Sequence, residues 1–442
     1  MTTVVLNFAA VRRRIRSAFA AYLFARTIRV AEQIILVPLF LSSWGAQSYG
    51  EWLALAALAG FAAIANLGVG QAAAAEVILQ STRNEFSKAS CIVVTSLLII
   101  LASIIAGLIV LGFLLALVDL RALAGIVLDE MPTPGPLVVI LAGATLITFL
   151  SEPLAGTLSA AQGAAVPNAI AAISKTIELV CIGFMLRVGA GPLAVAAIML
   201  AGAMLNVTLH LVWALRRVAW LSFSLANFDL GFLTRIWRSA AGFFLIYVCV
   251  NILGVYMPRL LVSHSLGPVA LATFSVLATY TKTARNLATM TSQATQVEIG
   301  RLWAIGETKS VRQLVRGMLR NATLLAAVLL VAELVLAPTI IPRWTGGHIP
   351  LNWELMIALA VVALLGCYFD GTLLAASALN QVGLISFGYA TGLLLGIVGA
   401  AILLPWTGRL GTIGICLLLP EIGGVLSGHR ILAQMARQLG WK

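Results

Sequence analysis

Five of the 28 Lys and Arg residues stand inside long apolar runs: Arg26, Arg29, Lys175, Lys282 and Arg285. A sixth, Arg259, follows Pro258 near the end of another such run. A charge at the centre of a membrane helix costs about 2.5–3.5 kcal/mol on insertion scales, so it faces a bundle interior, a watery cavity or a partner of opposite sign. The chemistry on offer is oxyanion binding. A guanidinium makes bidentate contacts with phosphate oxygens, and an ammonium supplies a point charge.

Spacing sorts these cations. Arg26, Arg29 and Glu32 follow one another at intervals of three, so each neighbours the next on one helix surface. Arg26 lies about 10–12 Å in from the helix start and can snorkel; Arg29, at about 15 Å, does so less easily. Arg29 either pairs with Glu32 or offers its guanidinium to a cavity. Farther along, Thr279, Lys282, Asn286, Thr289 and Gln293 form one helical stripe, with Arg285 beside it between Thr281 and Ser292. The span holds no acid before Glu298. So wide a polar face cannot meet lipid; it lines water or meets an acid on another helix, such as Asp370 or Glu421. Lys175 and Glu178, an i, i+3 pair, read first as a salt bridge, and Arg259 as an interface anchor or an outer-cavity cation. Glu152, Glu333, Asp370 and Glu421 are isolated acids within spans, any of which could bind a coupling proton or cation. With Glu32 and Glu178 beside their arginine or lysine neighbours, Glu32, Glu178, Asp370 and Glu421 are the ion-coupling candidates carried forward. No catalytic constellation emerges, and no metal site: His210, His264, His348 and His429 are dispersed, and the five cysteines sit in apolar runs without a CxxC.

The elements that carry these residues follow from composition. Of 442 residues, 61% are hydrophobic and 10% charged, and the mean hydropathy is +1.03. Soluble domains have about 45–50% apolar and about 25% charged residues. A water-soluble enzyme, a disordered chain and a nucleic-acid-binding domain are thereby excluded. With about 20 residues per spanning helix, the apolar runs give twelve helices at roughly 18–41, 50–73, 90–117, 137–160, 168–188, 192–214, 238–262, 269–293, 318–341, 353–377, 383–404 and 410–429. Breaks fall at Met131-Pro132-Thr133-Pro134-Gly135-Pro136, Gly189-Ala190-Gly191-Pro192 and Pro342-Arg343-Trp344-Thr345-Gly346-Gly347. The +12 charge is read as a positive-inside bias. Eighteen basic residues, from Arg12, Arg13, Arg14 and Arg16 to Arg437 and Lys442, fall on the side of the termini; five, Arg121, Arg187, Arg259, Arg343 and Arg409, fall on the other. Both termini are therefore expected in the cytoplasm, with no cleavable signal peptide. Single cysteines at Ser222 and Thr308, in a cysteine-free background, are expected to resist membrane-impermeant thiol reagents in intact cells. Labelling at either position before lysis overturns the orientation.

The chain also matches itself at half its length. Pro38-Leu39-Phe40-Leu41-Ser42-Ser43 aligns with Pro258-Arg259-Leu260-Leu261-Val262-Ser263, Gly45 with Gly267, Gln71-Ala72 with Gln293-Ala294, and Glu76 with Glu298. A duplication follows: a six-helix lobe over 1–214, a cytoplasmic linker over 215–237 and a second lobe over 238–442, related by an axis along the membrane normal. The fold class is an all-α polytopic membrane protein with twelve transmembrane helices in two pseudo-symmetric lobes.

Two motifs close this reading. Ser48-Tyr49-Gly50-Glu51-Trp52 is followed by a helix ending Ala65-Asn66-Leu67-Gly68-Val69-Gly70-Gln71 and then a basic loop. YG.W followed by LG.G, in a 6+6 layout over the whole chain, resembles the polysaccharide-transporter (O-antigen flippase) family of the multidrug/oligosaccharidyl-lipid/polysaccharide (MOP) exporter superfamily. The resemblance implies two six-helix lobes in a V, a bacterial inner-membrane location and export of a polyprenyl-diphosphate-linked oligosaccharide. Its partners would be that glycan, membrane lipid and polysaccharide polymerase or assembly proteins, with no nucleic acid. Under it, Arg26, Arg29, Lys175, Arg259, Lys282, Arg285 and Asn286 become substrate-binding candidates around a cationic cavity between the lobes, where Arg29, Lys282 and Arg285 are expected to converge. Arg285→Ala would then stop export at normal protein level; on the structural reading it would lower the amount of folded protein. A multidrug or organic-cation exporter of the same superfamily is the first alternative, although its cavity should be acidic. A membrane polymerase or ligase is the second, although it should carry a large outer loop. The chain is not expected to be an enzyme. No Walker motif occurs and no cofactor is called for.

Overall fold

The computed structural model describes residues 8–125, 134–224, 228–229, 231–304, 308–378 and 383–438. Outside the described residues lie Asp129, Glu130 and Lys442, and, as side chains, Arg12, Arg13, Arg14, Arg16, Arg26, Arg29, Arg238, Gln293, Glu298, Arg301 and Arg437. Every described element is helical: α1 (Phe8–Gly60), a 3₁₀ segment (Phe61–Asn66), α2 (Val69–Thr82), α3 (Phe86–Leu117), α4 (Leu120–Ala124), α5 (Pro134–Thr148), α6 (Ser151–Gln162), α7 (Ala165–Arg187), α8 (Pro192–Arg217), α9 (Gly231–Tyr247), a π segment (Val248–Tyr256), α10 (Met257–Leu266), α11 (Pro268–Ala304), α12 (Thr308–Trp344), α13 (Trp353–Ala378), α14 (Gly383–Thr407), α15 (Gly411–Cys416) and α16 (Leu418–Gln438). Among the described residues, ten helical stretches are long and apolar enough to cross a membrane. α1 divides at Gly45, whose φ of 73° and ψ of 176° leave the helix. With α1 so divided and the broken helices rejoined, the described residues fall into twelve runs, each overlying one of the twelve expected spans. The chain is an all-α, multi-pass membrane protein.

Two spans are longer and more broken than their apolar runs suggested. The second does not end near residue 73. It tightens to 3₁₀ at Phe61–Asn66, turns at Leu67 (φ 52°) and Gly68 (φ 69°), and resumes as α2 to Thr82. Two successive left-handed residues cannot continue a right-handed helix. The fourth breaks at Phe149–Leu150, between α5 and α6. The π segment lies immediately before Met257-Pro258. Pro258 has no N–H for the Gly254 carbonyl and would crowd it, which a widened turn relieves.

Two of the residues matched across the chain share a conformation. Gly267 adopts φ 86° and ψ 172°, close to the conformation of Gly45, and each glycine follows a helix carrying the matched proline. The match fails farther on, because the region equivalent to Leu67-Gly68 lies in unbroken α11.

The chain divides into two compact units: Met1–Ser43, Leu55–Leu123 and Leu128–Ile252 form one, and Trp44–Ala54, Ala124–Val127 and Leu253–Lys442 the other. In the first, α2 packs on α3, α6 and α9, and α8 on α5 and α7. In the second, α11 packs on α12 and α13, and α16 on α13 and α14. Gly388, Gly392 and Gly396 let α14 approach the backbone of α15 and α16, the small-residue contact that replaces hydrophobic drive in lipid. Large apolar side chains point outward, as with Leu101, Ile105, Ile109 and Phe113 on α3 and Leu324, Val328, Val331 and Val335 on α12. Lipid is the environment in which such faces are stable.

Candidate functional site

In the second unit, Arg285 on α11 meets two acids. Its Nε and Nη2 donate to Asp370 Oδ2 and Oδ1 at 2.8 and 2.9 Å, the bidentate fork. Its Nη1 donates to Glu421 Oε1 at 2.6 Å. α13 supplies the aspartate and α16 the glutamate. The side chains are 19%, 30% and 5% exposed for Arg285, Asp370 and Glu421. A guanidinium shared between two carboxylates ties three helices together. Gly366 on α13 has no side chain because a Cβ would overlap that guanidinium. Of the two alternatives left open for Arg285, lining water or meeting an acid on another helix, the structure shows the second, with Asp370 and Glu421 answering its charge inside its own unit. Lys282, one turn away, is exposed, and its charge bears on Glu421. Thr279 and Asn286 of the stripe are half-buried, and Thr289 is buried.

The first unit holds a second triad. Lys175 Nζ lies 2.8 Å from Glu32 Oε1 on α1 and 2.8 Å from Glu178 Oε1 on α7. The i, i+3 pair is present, but Glu32 reaches α7, a partner that spacing along α1 did not indicate. A cavity of about 300 Å³ opens here, lined by Thr145, Thr148, Ser174, Lys175, Glu178 and Asn206, among others. Gly202 makes room for Glu178, whose Oε2 would lie 2.6 Å from a Cβ.

The YG.W motif belongs to the second unit. Tyr49 and Trp52 are buried, Trp52 edge-on to Trp44 with ring centroids 5.5 Å apart. Gly50 packs so tightly on the Pro268 carbonyl that no Cβ fits. Glu51 is fully buried and accepts from Gln47 Nε2 at 2.9 Å. Arg259 is half-buried and interacts with the phenols of Tyr49 and Tyr256. Among the described residues it forms no ion pair.

The LG.G motif belongs to the first unit and surrounds Glu152. Gly68 lies against the Ala240 carbonyl, and Gly70 against the Glu152 carboxyl. Gln71 Nε2 reaches Glu152 Oε1 at 3.4 Å. Both motifs thus serve close packing; the first interacts with Arg259 and the second with Glu152, neither of which forms an ion pair among the described residues. Glu152 stands out in the sequence as an isolated acid, but its contact with the LG.G motif does not, because an offset of 81 residues separates Gln71 from Glu152. Among the described residues no cluster of three His, Cys, Asp or Glu is placed to hold a metal.

No protein-family model matches the sequence, and no curated protein matches it. Solved structures do match. An inward-facing multidrug resistance MATE family transporter of the MOP superfamily aligns with a TM-score of 0.71 at 17% identity, over 94% of this chain and 95% of that one. The lipid II flippase MurJ, in an inward closed conformation, also gives 0.71, at 14% identity over 94% and 87%. A MOP superfamily transporter from Pyrococcus furiosus, described as having a binding pocket of reversed polarity, gives 0.57 at 15% identity over 97% and 95%. The fold of this chain is that of the MOP-superfamily transporters.

Proposed function

We propose that the chain is a transporter that turns a polyprenyl-diphosphate-linked oligosaccharide across the bacterial inner membrane by alternating access. Arg259 carries the reading. It is a guanidinium within a spanning segment, under the electrostatic influence of two phenols and without an ion-pair partner among the described residues. Such a cation is costly until an anion arrives, and a diphosphate offers oxygens for a bidentate contact. Exposed Lys282 adds a point charge on α11. Arg285 and Lys175 hold helices together under this reading, while Asn286 remains a candidate polar contact. The polyprenyl tail stays in lipid. The lipid II flippase among the matching structures supports the fold's suitability for a lipid-linked cargo.

Arg259→Ala is expected to weaken binding of a polyprenyl-diphosphate glycan in nanodiscs at least tenfold, with membrane abundance kept. Arg259→Lys should retain part of the affinity, since the charge remains and the fork is lost. Unchanged binding in Arg259→Ala overturns the assignment.

Export of an organic cation is the second reading, and one observation favours it. Each triad sets two carboxylates against one cation, so each carries a net negative charge when ionised. Efflux of a fluorescent organic cation that Glu178→Gln abolishes, with no binding of the glycan, would establish that reading instead.

A further inference from the structure

Four membrane carboxyls, Glu32, Glu178, Asp370 and Glu421, are matched to a cation. Glu333 has none but accepts the Ala284 N–H at 3.1 Å. Glu152 is held more weakly: among the described residues its one donor is Gln71, at 3.4 Å on Oε1, and its Oε2, like that of Glu333, is buried with no hydrogen-bond partner. Nevertheless α2 is shaped around it, because any side chain at Gly70 would occupy the position of Oε2. A carboxylate enclosed in this way lacks the pairing that buried charge requires. A neutral acid needs no counter-charge and can keep the Gln71 contact.

We infer that Glu152 is a proton-binding site whose loading and release accompany the transport step. This rests on the proposed transport function for its consequence, but not for its chemistry. A metal ion would need several oxygen ligands, whereas the carboxyl is faced by one amide N–H. The titratable groups on the helices packed against α6 are engaged elsewhere or unpaired with Glu152. On α2, Glu76 accepts from Gln80; on α3, Lys88 pairs with Glu85 and Cys91 is a free thiol. On α7, Lys175 and Glu178 pair with each other, and Cys181 and Arg187 make no bond to Glu152. On α8, His210 bonds the Asn206 carbonyl, Arg217 lies over Trp213, and Arg216 forms no ion pair with Glu152. α5 carries no titratable side chain. Proton release leaves a charge that must be hydrated, so the α2–α6 contact has to open to water. The proton taken up closes it again. Titration is thereby tied to a movement of α2.

Infrared difference spectra of the protein in nanodiscs, taken across a pH series, test this without any cargo. The C=O band of a protonated carboxylic acid should disappear in Glu152→Gln and persist in Glu333→Gln. Should Glu152→Gln not fold, Glu152→Asp must move the midpoint of that band. A band unchanged in both Glu152 variants overturns the site, whatever the protein transports. In proteoliposomes, an imposed proton gradient should speed glycan flipping several-fold in wild type and leave Glu152→Gln unaffected. Equal acceleration in Glu152→Gln overturns the coupling. If the band behaves as expected but no glycan moves in wild type, the proton site stands and the cargo reading fails.

Discussion

Replacing Arg285 with methionine is expected to remove most of the folded protein from the membrane. The guanidinium holds Asp370 through two hydrogen bonds and Glu421 through one. Without it, two carboxylates on different helices face each other across the vacated space. Breaking a buried pair by deleting one partner costs about 3–5 kcal/mol, and Asp370, at 30% exposed, recovers part of that through water. The remainder is still a large fraction of a typical stability of about 5–15 kcal/mol. Arg285→Lys should keep an intermediate amount, because one ammonium cannot span both acids with the same geometry. The triple change Arg285→Met, Asp370→Leu, Glu421→Leu should restore abundance, since an apolar cluster needs no pairing. Membrane abundance and melting in detergent measure all three. Arg285→Met at wild-type abundance and melting temperature would show that the triad does not fasten α11 to α13 and α16.

Gly50→Ala is expected to be comparably damaging for a different reason. A Cβ at Gly50 would overlap the carbonyl oxygen, carbonyl carbon and Cα of Pro268. All three are backbone atoms at the start of α11, so no rotamer relieves the collision. Ordinary overpacking costs about 1–3 kcal/mol where side chains can shift, and here they cannot. Gly112→Ala on α3 is the control. Nothing lies within 4 Å of a Cβ there, and alanine is favoured over glycine in a helix by about 0.5–1 kcal/mol. Folded protein should fall sharply in the first variant and be unchanged or rise in the second. Equal abundance in the two would mean that the 49–52 segment does not pack on Pro268.

Much of the fold was legible because lipid imposes strict local demands. A spanning segment must be long, apolar and internally hydrogen-bonded, and these are properties of consecutive residues. The twelve runs, the proline-and-glycine breaks and the matched Gly45 and Gly267 could all be read along the chain. Less legible were the bends at Leu67-Gly68 and Phe149-Leu150, which fall within apolar stretches that hydropathy treats as continuous. The first bend brings Gly68 against Ala240, a contact between residues far apart in sequence.

The sequence by itself determined that the chain lives in a membrane, where it crosses, and which ionisable groups it carries to depth. It also determined that Lys175 and Glu178 share a helix face. Only the tertiary structure decided which charges neutralise one another. Arg285 lies 85 residues from Asp370 and 136 from Glu421, and Glu32 turned to Lys175 on another helix. Helical periodicity fixes which side chains stand together on one helix, but the rotation and depth of the neighbouring helix fix what they meet. Those are set by close packing of small residues such as Gly366 and Gly202 over the whole bundle. Hence Arg285, with no acid on its own helix before Glu298, is bound by acids on two others in the folded chain, whereas Glu152, isolated in its own segment, has no ion-pair partner among the described residues either.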